Sequence, residues 1–312
     1  MKSNITIGTR GSELALWQAN YIKTQLEELG VTVTLKIIKT QGDNIQHLSF
    51  AKLEGKGFFT KEIEDSLLRG DIDMAVHSMK DLPTISPEGL VITAVSYRED
   101  PTDSLIISPN CGDDTLPLGL KKGAKVGTSS ARRKAQLLAI RPDLEMVDIR
   151  GNVPTRLGKL MTSKFDAIML ATAGLRRLEI DLDAFSVVEL NPREFVPAPA
   201  QGVLAYQTCT EDLETRRLLK KIHNREVARS TNIERKALRL MNGGCQMPFG
   251  VYCEQDANGH YHAWAARSES WNSPTVRINI SSSTSYGLAE RIVEELDRQL
   301  LELRRNSAKA AA

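Results

Sequence analysis

From residue 5 to residue 177, short apolar runs repeatedly end in glycine, a hydroxyl residue or arginine and then open into an amphipathic stretch. Residues 5–8 lead into Thr9-Arg10-Gly11-Ser12, and residues 31–39 into Thr40-Gln41-Gly42-Asp43. Met74-Ala75-Val76 runs into His77-Ser78-Met79-Lys80-Asp81-Leu82-Pro83, and residues 125–127 into Thr128-Ser129-Ser130-Ala131-Arg132-Arg133. Met146-Val147-Asp148-Ile149-Arg150 runs into Gly151-Asn152-Val153-Pro154-Thr155-Arg156, and residues 165–171 into Thr172-Ala173-Gly174-Leu175-Arg176-Arg177. Strands alternating with helices predict a parallel sheet covered by helices, an α/β fold. In open sheets of that kind ligands bind beyond the carboxyl ends of the strands, so the chemistry is expected at these exits.

Each exit has a plain reading and a functional one. Ser12 can cap a helix carrying Leu14, Leu16, Ala19, Ile22, Leu26 and Leu29 on its apolar side and stopping at Gly30. A helix start with free N–H groups, next to Arg10, suits an anion; a simple capped βα unit explains the same residues. After Val76, Pro83 disfavours helix at Leu82, so the strand is expected to give way to a loop near Ser78. Lys80 and Asp81 then read equally as an ordinary surface ion pair or as members of a site. Residues 51–59 are punctuated by glycine and form either a lid carrying Lys52 and Lys56 or a surface loop.

The exits after residues 127, 149 and 171 all carry arginine. Three such exits on one sheet edge should converge on a single crevice, and guanidinium forks suit carboxylate or phosphate. A ligand with several negative charges is therefore expected. Nucleic acid is disfavoured: the net charge is +2, aromatics make up 5% of the chain, and no lysine-rich face interleaves with them.

A chain of 312 residues is too long for one simple core and suits two or three domains. No apolar run approaches the roughly 18 residues that span a bilayer. The first residues go straight into a strand pattern, so no signal peptide is expected. Cys111, Cys209, Cys245 and Cys253 lie far apart, which argues against zinc and disulfides and for a reducing cytoplasm. Arg98-Glu99-Asp100-Pro101 marks one boundary, and the proline-rich residues 191–201 read as a crossover, giving two lobes with hinges near 98–101 and 192–200. A third region follows. A helix with Arg229, Glu234, Arg235 and Lys236 stops at Asn242-Gly243-Gly244, directly before Cys245-Gln246-Met247-Pro248. Asn258-Gly259 signals a hairpin, residues 275–281 a further strand, and Leu288, Ile292, Leu296, Leu300 and Leu303 one face of a closing helix. The alanine-rich end from Ala308 is expected to be disordered.

Taken together, Gly8-Thr9-Arg10-Gly11-Ser12, Gly55-Lys56-Gly57, His77-Ser78-Met79-Lys80-Asp81, Gly127-Thr128-Ser129-Ser130, Arg150-Gly151-Asn152-Val153 and Gly243-Gly244-Cys245 resemble the hydroxymethylbilane synthase, or porphobilinogen deaminase, family, in family order. Glu54 and Met241 are small departures. The resemblance implies a monomeric, cytoplasmic transferase of tetrapyrrole and haem biosynthesis that condenses four porphobilinogen units head to tail and releases ammonia each time. It implies two lobes like periplasmic binding proteins, residues 1–98 with 198–219 and residues 102–194, and a small α+β third domain, 220–312, with an antiparallel sheet. It further implies a dipyrromethane cofactor attached through Cys245, and Asp81 as the catalytic carboxylate. Arg10, Ser12, Lys80, Thr128, Ser129, Ser130, Arg132, Arg133, Arg150 and Arg156 would hold the cofactor. Arg10, Gln18, Arg177 and Gln201 would hold substrate. No metal, nucleic acid or membrane partner is implied. The rival class is a two-lobed anion-binding sensor without chemistry, which requires neither Asp81 nor Cys245.

Overall fold

The computed structural model describes residues 2–40, 60–162, 164–242 and 247–310. The chain divides into two units, one of residues 1–100, 173–180 and 201–228, the other of residues 101–172, 181–200 and 229–312. The first unit opens with β1 (Asn4–Thr9), α1 (Glu13–Glu27), β2 (Thr32–Ile37), α2 (Lys61–Leu68), β3 (Met74–Ser78) and β4 (Leu90–Arg98). The second opens with β5 (Asp103–Ile107), β6 (Lys125–Gly127), α3 (Ala131–Ile140), β7 (Glu145–Val147), α4 (Val153–Met161) and β8 (Ala167–Ala171). Next come α5 (Thr172–Arg177), which from Ala173 belongs to the first unit, and β9 (Ser186–Leu190) in the second. The chain returns to the first unit with β10 (Val203–Cys209) and α6 (Leu213–Leu219), and α7 (Arg225–Leu240) carries it across again. β11 (Phe249–Gln255), β12 (Tyr261–Arg267), β13 (Val276–Ser282) and α8 (Leu288–Ala310) follow.

The first unit's sheet runs β2-β1-β3-β10-β4, with β1 parallel to β2 and β3 and β10 antiparallel to β3 and β4. The second unit's sheet runs β7-β6-β8-β5-β9, with β6 parallel to β7 and β8 and β5 antiparallel to β8 and β9. Both sheets are therefore mixed, where strand–helix alternation predicts a parallel one. The inserted strand β10 arrives from a distant segment, and local alternation carries no trace of it. The parallel strands keep their carboxyl ends on one edge, so the strand exits still lie where ligands bind in α/β sheets.

Ile5, Ile7, Ala19, Ile22, Leu26, Met74, Val76 and Tyr206 close the core of the first unit. Leu105, Ile107, Val126, Leu137, Met169 and Phe195 close that of the second. β11, β12 and β13 form an antiparallel sheet whose inner face, Val251, Cys253, Ala263, Ala265 and Ile278, packs on Leu288, Ile292, Leu296 and Leu300 of α8. Burying each valine, leucine, isoleucine, methionine or phenylalanine among these contributes roughly 1.5–3 kcal/mol. The alanine-rich end, expected to be disordered, continues α8 to Ala310, in keeping with alanine's place as the strongest helix former.

The crossover residues are held tightly. The Glu234 carboxylate, fully buried on α7, accepts the Ala200 N–H at 2.6 Å and the Cys253 N–H at 2.8 Å. Ala200 sits at φ +60°, a left-handed conformation that costs alanine energy and is kept here by that bond. Gly202 has φ +87°, and a Cβ there would overlap the Glu99 carbonyl, so only glycine fits.

Candidate active site

Within the first unit, the turn from β1 into α1 brings Arg10 and Ser12 to the exit edge of the sheet. Ser12 caps α1 from an extended conformation, its Oγ accepting the Ala15 N–H at 3.4 Å, while Thr9 Oγ1 donates to the Ala15 carbonyl at 3.0 Å. The first turn of α1 is thus fixed against the strand end. Beside it β3 ends at Ser78, and a single tight helical turn, Met79–Asp81, follows. Met79 is the buried pivot of that turn, which leaves Lys80 half-buried and Asp81 exposed. Gln18, buried on α1, donates to Ser78 Oγ at 2.8 Å and ties the two exits together. Lys80 Nζ donates to Gln201 Oε1 at 3.2 Å, and the Gln201 carbonyl accepts from Arg98 Nε at 3.0 Å. A cavity of about 110 Å³ lies at this edge, lined by Arg10, Ser12, Gln18, His77, Ser78 and Asp81 among others. It joins a guanidinium and a capped helix start to a carboxylate, which suits a ligand carrying both anionic and N–H groups.

The second unit treats similar residues differently. Ser130 caps α3 by accepting the Arg133 N–H at 3.4 Å, and Thr128 Oγ1 accepts the Ser130 N–H at 3.3 Å. Ser129 Oγ donates to the Ile149 carbonyl at 2.9 Å and accepts its N–H at 3.1 Å, clamping the exit of β7. Arg132 and Arg133 are buried on one carboxylate. Arg132 Nη1 reaches Asp103 Oδ2 at 2.7 Å and the Val196 carbonyl at 2.8 Å. Arg133 sends Nε and Nη2 to Asp103 Oδ1 and Nη1 to the Met169 carbonyl at 3.0 Å. Burial alone would raise the Asp103 carboxyl, but Arg132 and Arg133 outweigh it and hold the group well below the usual carboxylate range. One carboxylate serves two guanidiniums, so the cluster keeps a surplus positive charge. Gly151, at φ +117°, turns β7's exit toward α4, where Arg156 Nε donates to the Gly151 carbonyl at 2.8 Å and Lys159 Nζ to that of Arg150 at 2.7 Å. Arg150 and Arg156 are half-buried. Hydroxyls, a helix start and surplus cations fit a ligand with several carboxylates, as the dipyrromethane of the resembled family would be.

Arg177 departs from the expected convergence. It belongs to the first unit, where it is buried over the Trp17 ring at 5.6 Å, with Nη2 donating to the Gly202 carbonyl at 2.7 Å. Trp17 stacks in turn on Tyr21 at 5.5 Å. The third strand exit therefore gives its arginine to the unit that holds Asp81, not to the one that holds Arg132 and Arg133. Its Nε is buried and has no hydrogen-bond partner among the described residues. Cys245 with its glycine turn, and Lys52 and Lys56 of the suggested lid, lie outside the described residues.

Sequence reasoning missed a buried polar row that runs back from the cavity wall, formed by Thr60, Glu64, Gln207 and His77. The signal was present: Glu64 stands beside Ile63 on the inward face of α2, where an ionisable residue needs a partner. Among the described residues no group of His, Cys, Asp and Glu could hold a metal ion, and no helix is long and apolar enough to cross a membrane.

A family model described as porphobilinogen deaminase, dipyromethane cofactor binding domain, matches residues 5–217. A porphobilinogen deaminase of Campylobacter hominis is 47% identical over 253 residues, covering 81% of this chain and 80% of that protein. One from Chloroherpeton thalassium is 46% identical over 264 residues, covering 84% and 82%. Among solved structures the chain is similar to a probable amino-acid ABC transporter extracellular-binding protein from Bacillus subtilis, at 14% identity and a TM-score of 0.41, over 71% of this chain and 90% of that one. With the model matching 213 residues and relatives near half identical over four-fifths of the chain, this protein belongs to the porphobilinogen deaminase family.

Proposed function

We propose that the chain is a hydroxymethylbilane synthase. It joins four porphobilinogen molecules head to tail, releases ammonia at each step, and frees the linear tetrapyrrole by hydrolysis. The observation that carries this reading is the cavity of the first unit, where Asp81 shares one small space with Arg10 and the capped start of α1. Porphobilinogen bears two carboxylates, a pyrrole N–H and an aminomethyl group, and needs cationic clamps and an N–H acceptor together. Arg10 and Ser12 take carboxylate at the start of α1. The Asp81 carboxylate accepts pyrrole N–H and stabilises the positive charge that develops as ammonia departs. It also takes the proton lost from the pyrrole carbon when the new bond forms. Lys80, held by Gln201, adds a fixed cation next to that carboxylate.

In the same reading Cys245 holds the dipyrromethane, with Thr128, Ser129, Ser130, Arg132, Arg133, Arg150 and Arg156 around it. When bound, that group supplies the pyrrole end on which the product grows. Ser129 and Arg133 spend their hydrogen bonds inside the second unit, so their part is to shape the exits, while the surplus charge of the Asp103 cluster favours the ligand's carboxylates. Gln18, Gln201 and Arg177 support the substrate side. The protein acts as a cytoplasmic monomer of three domains, 1–98 with 198–219, 102–194 and 220–312.

Intact mass under reducing, denaturing conditions tests the reading. A thioether survives thiol reductants, so the wild type is expected to exceed its 34.6 kDa polypeptide by two pyrroles, and Cys245→Ala is not. The same preparation should release ammonia from porphobilinogen. An active wild type at bare polypeptide mass ends the proposal, and an inactive one at that mass favours a sensor.

A further inference from the structure

The polar row that runs back from the cavity wall has a direction. Thr60 Oγ1 donates to Glu64 Oε2 at 3.2 Å, Gln207 Nε2 donates to Glu64 Oε1 at 3.0 Å, and His77 Nε2 lies 3.1 Å from Gln207 Oε1. All four side chains are buried. A carboxylate only accepts, so Gln207 must show its amide N–H to Glu64 and its carbonyl to His77. His77 then donates from Nε2, and in the neutral ring Nδ1 is left as a bare lone pair. Nδ1 makes no hydrogen bond among the described residues, and His77 lines the cavity with Arg10, Ser78 and Asp81.

We propose that His77 is a substrate-contacting residue whose Nδ1 accepts a hydrogen bond from the ammonium of the substrate's aminomethyl group, with Glu64 and Gln207 as positioning residues that hold the ring in its Nε2–H form. This rests on the functional reading above. Arg10 and Ser12 engage carboxylates and Asp81 the pyrrole N–H, which leaves the ammonium in need of an acceptor. That acceptor must not remove its proton. The C–N bond breaks with both electrons passing to nitrogen, so neutral ammonia leaves only if the nitrogen arrives protonated. Burial, offset in part by the Gln207 bond and reinforced by Arg10, brings His77 down to about 4, too weak a base to deprotonate an alkylammonium. Among the described residues the charged groups around the ring are Glu64 from α2, Arg10 from the end of β1 and Asp81 from the turn after β3; Gln207 on β10 is neutral.

Two substitutions separate the ring nitrogens. His77→Gln keeps an amide near Nε2 and loses the acceptor at Nδ1; His77→Asn places an amide near Nδ1. The probes are porphobilinogen and its analogue bearing methyl in place of aminomethyl, used as a competitive inhibitor of the holoenzyme. His77→Gln is expected to raise KM for porphobilinogen about tenfold to a hundredfold, the size of a lost charge-assisted hydrogen bond. Its inhibition constant for the methyl analogue should move by less than about twofold, and His77→Asn should recover part of the loss. Resting wild-type holoenzyme carrying 15N-histidine should show His77 as the Nε2–H tautomer, and Glu64→Gln, nearly isosteric, should mix the two tautomers. KM and inhibition constant rising together, an unchanged KM, or an Nδ1–H tautomer in the wild type would each overturn the inference. A wild type that turns over porphobilinogen while His77→Gln matches it defeats the inference alone; a wild type without turnover defeats the functional reading and the inference with it.

Discussion

The turn into α1 and the turn into α3 are alike in sequence and opposite in use. Each has a serine cap and arginine within three residues of it. In the first unit Arg10 stays half-buried on the rim of a cavity shared with Asp81. In the second unit Arg132 and Arg133 turn inward onto Asp103 and the carbonyls of Val196 and Met169. Similar turns therefore place their arginines differently: the first keeps its cation at a cavity rim, and the second spends its cations on a buried carboxylate with charge to spare.

The comparison is broken most forcefully at Asp103. Asp103→Asn leaves two adjacent guanidiniums buried without their counter-charge, and should cost about 3–5 kcal/mol in urea denaturation. Asp81→Asn, at an exposed carboxylate, should stay within about 0.5 kcal/mol of wild type. If the two variants were equally stable, the assignment of a structural role to the second site would fail. Because the Asp103 carboxyl is held below its ordinary range, the stability it contributes is present at neutral pH and lost only as pH falls beneath that range.

A second difference is pH dependence in the first unit. His77 titrates at about 4 in the native state against 6.5 ordinarily, so between those values the unfolded chain binds a proton that the native chain refuses. Stability should therefore fall as pH drops from 6.5 to 4, by on the order of 3 kcal/mol from this residue, and level off below. Subtracting the curve of His77→Gln isolates that slope from the carboxylates; parallel curves would show that the ring titrates normally.

The smallest effect sharpens the comparison at the caps. Ser12→Ala and Ser130→Ala each remove one cap bond and should cost about 1 kcal/mol alike. Only Ser12→Ala should also raise KM for porphobilinogen. An equal rise from Ser130→Ala would move substrate to the second unit.

These contrasts also explain what the sequence could convey. The strand exits, the Ser12 cap and the hairpin around Asn258-Gly259 were legible because each is written in neighbouring residues. The burial of Arg132 and Arg133 was not, since it depends on Asp103 about thirty residues upstream. Arg177 shared its strand-exit pattern with them, yet its place is set by Trp17 and Gly202, which no local pattern links to it. The insertion of β10 between β3 and β4 was likewise invisible, because it follows from the chain's return at the crossover. Glu64 was readable in principle as an ionisable residue on an inward helix face, but its partner Gln207 lies 143 residues away.

The central claim, that the chemistry belongs to the Asp81 cavity, is tested most directly by the single-turnover rate of Asp81→Asn holoenzyme with porphobilinogen at neutral pH. The account predicts loss of most of the rate with substrate binding, cofactor mass and denaturation midpoint essentially unchanged. A variant that turns over at the wild-type rate would contradict it.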